Sequence, residues 1–130
     1  MSAGLLIISH NGIGPALLGT AKLMLKNFPL KTKLLTASRD CDPDELTATA
    51  IELIRVLDEG DGVLILTDLY GATPSNIAKC FLEDENIFVV TGLNLSMLLR
   101  VFNYPTLNVN KLAEKAVSGG KDGIIMVGAQ

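Results

Sequence analysis

Five short apolar runs, set between longer segments of helical periodicity, restrict the fold of this chain more than any other feature. Residues 3–9, 33–37, 62–67, 87–91 and 123–127 are too short for buried helices and read as strands. Between the first two, residues 15–27 place Leu17, Leu18, Ala21, Leu25 and Phe28 at helical spacing. Asp42-Pro43-Asp44-Glu45 opens a second helix, which runs to Glu59 and stops at Gly60. It has an aspartate N-cap, proline in the first turn and glutamate three residues on. Thr73-Pro74 begins a short helix through about Leu82, with Thr73 placed to cap it. Residues 94–102 and 110–118 supply two more helices, the last ended by Gly119-Gly120.

Strands that alternate with helices predict an α/β fold in three layers, a doubly wound, mainly parallel sheet covered on both faces. Continuous apolar runs suit strands buried on both sides. Right-handed crossovers leave few topologies, and the flavodoxin-like order 2-1-3-4 is the one expected here. No linker, repeat or low-complexity segment divides residues 1–130, so a single domain is predicted. A hydrophobic fraction of 48% supplies its core.

With a net charge of -3 and no basic stripe, nucleic acid is excluded as a partner. No apolar run approaches the roughly 18 residues of a membrane span, and no basic region precedes the first run as in a signal peptide. Cys41 and Cys80 form no C-x-x-C pair, which suits a reducing cytoplasm and gives neither a disulfide frame nor a zinc site. Asp40, Asp42 and Asp44 alternate like metal ligands, but Glu45 and Ile51 stand where a calcium loop needs glycine and glutamate. Helix capping explains them better, so no metal and no cofactor are expected. Cys80 falls on a helical face with Ile77 and Phe81 and is expected in the core; Lys121 and Asp122 are expected in a turn.

The chemistry gathers at the carboxyl ends of the strands. His10, the only histidine, follows the first run, and Asp68 follows the third. In the order 2-1-3-4 those strands are neighbours, and the switch point between them is where open α/β sheets bind ligands. Read alone, His10 is equally well a surface loop residue and Asp68 a helix cap. The loop Leu69-Tyr70-Gly71-Ala72-Thr73-Pro74 leads into a helix start, where backbone N–H groups can face a phosphate. Together these suggest phosphoryl transfer through histidine: neutral imidazole is a nucleophile near neutral pH, and a carboxylate on one ring nitrogen fixes which nitrogen attacks. Neither a P-loop nor G-x-G-x-x-G spacing is present. Of the arginines, Arg39, Arg55 and Arg100, none lies near His10 in sequence, so no permanent arginine clamp is expected.

Three segments carry a resemblance: Leu5-Leu6-Ile7-Ile8-Ser9-His10, the stretch from Gly62 to Asn76 with Thr67-Asp68-Leu69-Tyr70-Gly71-Ala72-Thr73-Pro74 at its centre, and Val90-Thr91-Gly92-Leu93-Asn94-Leu95-Ser96-Met97-Leu98. In this order they resemble the mannose-type IIA domains of the bacterial phosphoenolpyruvate-dependent phosphotransferase system. The resemblance implies that His10 takes a phosphoryl group from phospho-HPr and passes it to a separate IIB component. It implies that Asp68 orients the ring, and that Gly71, Ala72 and Thr73 meet the phosphoryl group. Two departures stand out: Gly71-Ala72-Thr73-Pro74 replaces the family's Gly-Gly-Ser-Pro, and Ser96 replaces its usual proline before Met97. The resemblance also implies a homodimer in which the last strand is exchanged, for which residues 118–120 offer a hinge. Few residues follow Val127, so the acceptor is expected on another polypeptide. The service is sugar uptake or a regulatory relay. A phosphocarrier for a dihydroxyacetone kinase, or a non-catalytic anion-sensing module, remains the alternative reading.

Overall fold

Successive side chains of a strand point to opposite faces of a sheet, and the two central strands use both faces for core. The computed structural model describes residues 2–26 and 30–129. Among them the order is β1 (Gly4–His10), α1 (Ile13–Met24), β2 (Thr32–Ala37), α2 (Pro43–Leu57), β3 (Val63–Thr67), α3 (Thr73–Lys79), β4 (Ile87–Val90), α4 (Leu95–Phe102) and α5 (Val109–Asp122). The four strands are all parallel in the order β2-β1-β3-β4, as the alternation of the sequence predicts.

Leu5 and Ile7 of β1, with Leu64 and Leu66 of β3, pack against Leu18 and Ala21 of α1 and against Leu98 and Leu112 of α4 and α5. Leu6 and Ile8, with Val63 and Ile65, pack against Ile54 and Leu57 of α2 and Ile77 of α3 on the other face. The helices cover both sides of the sheet, and one residue of register slip would exchange the two cores. Burying such a leucine or isoleucine side chain stabilises the fold by about 1.5–3 kcal/mol.

Local chemistry sets the ends of α2. Asp42 accepts the Asp44 N–H at 3.0 Å, the cap that the sequence predicts, and Asp58 accepts the N–H groups of Gly60 and Gly62 where the helix stops. α1 ends at Met24, so its predicted stripe holds through Ala21, and Leu25 packs from the C-cap. Asn27 and Phe28 of that predicted helix lie outside the described residues.

The C-terminal third departs from expectation. Gly119-Gly120 does not end α5, which continues to Asp122. A Cβ at position 119 would stand 2.4 Å from the Arg100 Cβ, and one at 120 would stand 2.9 Å from the Met97 Cε. The two glycines let α5 lie against α4, and a helix held by packing tolerates them despite their low propensity. Asn94 Nδ2 donates to the Gly120 carbonyl at 3.1 Å, and Arg100 pairs with Asp122 at 3.1 Å, so Lys121 and Asp122 belong to the last turn rather than to a loop. The hinge expected at residues 118–120 is therefore helix. Residues 124–127 pair with no strand of their own chain, and their apolar side chains are exposed, Met126 at 98%. Cys80 also departs from its expected core position. α3 ends at Lys79, so Cys80 caps the helix and faces solvent.

Candidate functional site at the carboxyl edge of the sheet

β1 and β3 run side by side with Ile8 opposite Thr67, so His10, two residues past Ile8, and Asp68, one past Thr67, come to the same edge. The Asp68 Oδ2 accepts the backbone N–H of His10 at 2.9 Å and meets the ring Nδ1 at 2.8 Å. The aspartate side chain is only 7% exposed, whereas the imidazole is 45% exposed. The carboxylate thus stands behind the ring, and the ring faces solvent.

Burial pushes the Asp68 carboxyl up, but the backbone N–H, the ring hydrogen bond and the charge of His10 outweigh it, so the carboxyl sits below its ordinary value. An ionised carboxylate only accepts hydrogen bonds, so the network assigns the proton to Nδ1. In the neutral ring the lone pair is then on Nε2. Asp68 Oδ1 is buried without a hydrogen-bond partner among the described residues.

Ser9 fixes the loop on the other side of the histidine. Its hydroxyl donates to the His10 carbonyl at 2.9 Å and accepts the Gly14 N–H at 2.8 Å, joining the end of β1 to the first turn of α1. Ser9 is 1% exposed. Its role has only a weak signal in the sequence, a hydroxyl just before a loop that leads to a helix start.

In the loop before α3, Gly71 adopts φ 83°, a backbone that glycine takes without strain. Its N–H donates to the Ser75 hydroxyl at 2.9 Å, and the Ala72 N–H reaches the Leu69 carbonyl at 3.4 Å. Thr73 is the first helical residue and not the cap; the cap is Ala72, which makes no side-chain bond. Ser75 does the work expected of Thr73 by holding the loop to the helix. Of Gly71, Ala72 and Thr73, the structure places Thr73 in the crevice at His10.

That crevice, about 460 Å³, is also lined by Asn11, Arg39 and Cys41. Arg39 is far from His10 in sequence, and sequence distance alone predicts no arginine at the site. The sheet order corrects that: β2 pairs with β1 with Ala37 opposite His10, and Arg39 lies two residues on. The order 2-1-3-4 itself was the signal for this residue. Among the described residues no group of His, Cys, Asp and Glu is arranged to hold a metal ion, and no helix is long and apolar enough to cross a membrane.

A family model described as EIIA-man, PTS system fructose IIA component, matches residues 4–117. The chain belongs to this IIA family. Its members are components of a sugar phosphotransferase system, so the family implies a phosphoryl relay in sugar transport. Solved IIA proteins share the fold. The mannose/sorbose-specific IIA subunit from Enterococcus faecalis superposes with a TM-score of 0.87 at 22% identity, over 100% of this chain and 98% of that one. The IIA protein associated with the fucose utilization operon of Streptococcus pneumoniae gives 0.81 at 23% identity, over 97% and 96%. Component EIIA from Streptococcus agalactiae gives 0.79 at 23% identity, over 95% and 96%.

Proposed function

We propose that this IIA chain is a cytoplasmic phosphoryl carrier that accepts a phosphoryl group from phospho-HPr on His10 Nε2 and passes it to a IIB component. The observation that carries the reading is the contact between the Asp68 carboxylate and His10 Nδ1 at 2.8 Å, which leaves Nε2 as the nucleophile on a half-exposed ring. In the accepting step the Nε2 lone pair forms the N–P bond. The bond from phosphorus to the donor atom breaks, and its electron pair leaves with the donor. Asp68 holds the ring in one tautomer and balances the positive charge that the ring gains. Handing the group to IIB reverses these roles. Thr73, the first residue of α3, lines the crevice and is proposed to meet the phosphoryl oxygens, while Gly71 and Ala72 shape the loop before it.

A carrier must give up its group, so a ring open to solvent and to a partner suits the task better than a closed pocket. The exposed Ile13, at the start of α1 just after His10, and Leu69 and Tyr70, just after Asp68, offer apolar contact to partners. Incubation with enzyme I, HPr and phosphoenolpyruvate tests the reading. One acid-labile, alkali-stable phosphoryl group per chain is expected, and an unlabelled chain would favour the anion-sensing alternative.

The carrier is proposed to work as a homodimer. β4 is one of the two sheet edges, and the exposed apolar residues 124–127 come just after α5. Pairing of this segment with the β4 edge of a second copy would satisfy both.

A further inference from the structure

We propose that Arg39 is an anion-binding residue of the carrier crevice, its guanidinium pairing with the oxygens of a phosphoryl group held on His10. The inference rests on the carrier reading and deepens it, since nothing in that reading needs an arginine.

Three observations carry it. The turn Ser38–Cys41, closed by the Cys41 N–H on the Ser38 carbonyl at 3.2 Å, sets Arg39 at the lip of the crevice that His10 lines. Neighbouring strands lie about 4.8 Å apart and rise about 3.3 Å per residue. With Ala37 opposite His10, the Arg39 backbone is therefore about two residues further along the adjacent strand direction, a span that an arginine side chain covers. Finally, Arg39 has no carboxylate partner among the described residues. Arg55 is paired with Glu52 and Arg100 with Asp122. Of the nearby acids, Asp40 in the turn lines a separate crevice with Asp42 and Glu45, and Asp42 is engaged as the α2 cap.

An unpaired guanidinium on the crevice that the carrier histidine lines is poised for an incoming charge. A phosphoryl group brings up to two negative charges and three acceptor oxygens, and guanidinium is the side chain that meets such oxygens in pairs. The crevice otherwise holds no cation among its lining residues, and Asp68 adds negative charge behind the ring. Without Arg39 the carried group would face water and only uncharged side chains, among them Asn11 and Thr73. Arg39 forms and breaks no covalent bond in this role.

The test needs no protein donor. Phosphoramidate, a small-molecule phosphoryl donor to imidazole, labels His10 chemically, and phosphorus NMR follows the last ionisation of the phosphoryl group with pH. A nearby guanidinium favours the doubly charged form, so the midpoint is lower in the wild type than in Arg39→Ala. The expected difference is about one pH unit, a tenfold change in the proton equilibrium. Arg39→Lys keeps the charge without the fork and falls between them. Arg55→Ala, on the exposed face of α2, titrates as the wild type. Coincident wild-type and Arg39→Ala curves overturn the proposal and leave Arg39 a solvated surface residue. A wild-type ring that phosphoramidate leaves unlabelled overturns both the proposal and the carrier reading. The shift seen with phosphoramidate, together with no labelling by phospho-HPr, upholds Arg39 as an anion site and defeats the HPr step alone.

Discussion

One carboxylate oxygen, Oδ2 of Asp68, accepts from His10 twice, from the backbone N–H at 2.9 Å and from the ring Nδ1 at 2.8 Å. The backbone bond places the carboxylate, and the ring bond then has one geometry open to it. Positioning by the main chain means that the pair survives loss of the imidazole, whereas the ring does not keep its orientation without the carboxylate.

Asp68→Asn is therefore expected to keep the fold and slow the chemistry. The amide oxygen can still accept both N–H groups, but it carries no charge to balance a phosphorylated ring. The rate of labelling by phospho-HPr should fall about 10²–10⁴-fold, the range for loss of an acid–base or orienting partner. A circular dichroism spectrum unchanged from wild type, with an unchanged rate, would show that the carboxylate does nothing for transfer.

His10→Ala is expected to abolish labelling altogether, since the chain has no second imidazole. Phosphoryl label that persists on this variant, stable to alkali, would move the carrier residue elsewhere.

The pH dependence of stability follows from the same pair. The folded Asp68 holds its proton less tightly than an unfolded aspartate does. Its contribution is complete above the unfolded value of about 3.9 and is lost as pH falls through the lower folded value. The gap in urea midpoint between wild type and Asp68→Asn should be constant near neutral pH and close below about pH 4. A gap that stays open at about pH 2 would mean that the His10 contacts are not what favours the ionised form.

The sheet and the pair were legible because they depend on local signals: apolar runs bounded by polar residues, and chemistry-bearing side chains one step past two of them. Arg39 and Ser75 were hidden for different reasons. Arg39 comes to the crevice only through the neighbourhood of β1 and β2, a relation across the sheet. Ser75 holds the loop in place of Thr73 because α3 starts one residue earlier than a Thr73 cap implies, and the Ser75 hydroxyl accepts the Gly71 N–H. The glycines at 119 and 120 mislead because a packing glycine and a stop glycine look the same in sequence; only the nearness of Arg100 and Met97 tells them apart.

Two glycine substitutions separate those meanings. Gly19 lies exposed inside α1 with open space where its Cβ would go, so Gly19→Ala should stabilise the protein by about 0.5–1 kcal/mol through helix propensity. Gly119→Ala gains the same propensity, but its methyl meets the Arg100 Cβ at 2.4 Å, and a Cβ cannot swing away. Overpacking of about 1–3 kcal/mol then exceeds the gain, and the variant should be less stable than wild type. Thermal midpoints that rise for both variants would mean that α4 and α5 are not in close contact.

The exposed tail sets the last prediction. Ile124, Ile125, Met126 and Val127 turn four consecutive apolar side chains to water, and no charge or proline protects the run. β4 leaves one backbone edge without a strand, and Ile124 lines a crevice with Val90 and Thr91 at the end of that strand. In this chain the tail leaves that edge unpaired among the described residues, while α5 is held through residue 122 by the Arg100–Asp122 pair and by the Asn94 bond to Gly120. The edge of a second copy is then the natural acceptor, with the turn moved from residues 118–120 to Gly123. Light scattering at micromolar concentration should give the mass of two chains. Removal of residues 124–130 should give the mass of one, with the far-UV spectrum of the remaining fold retained. A full-length chain that scatters as a monomer would defeat the dimer, and a truncated chain that still scatters as a dimer would place the interface elsewhere.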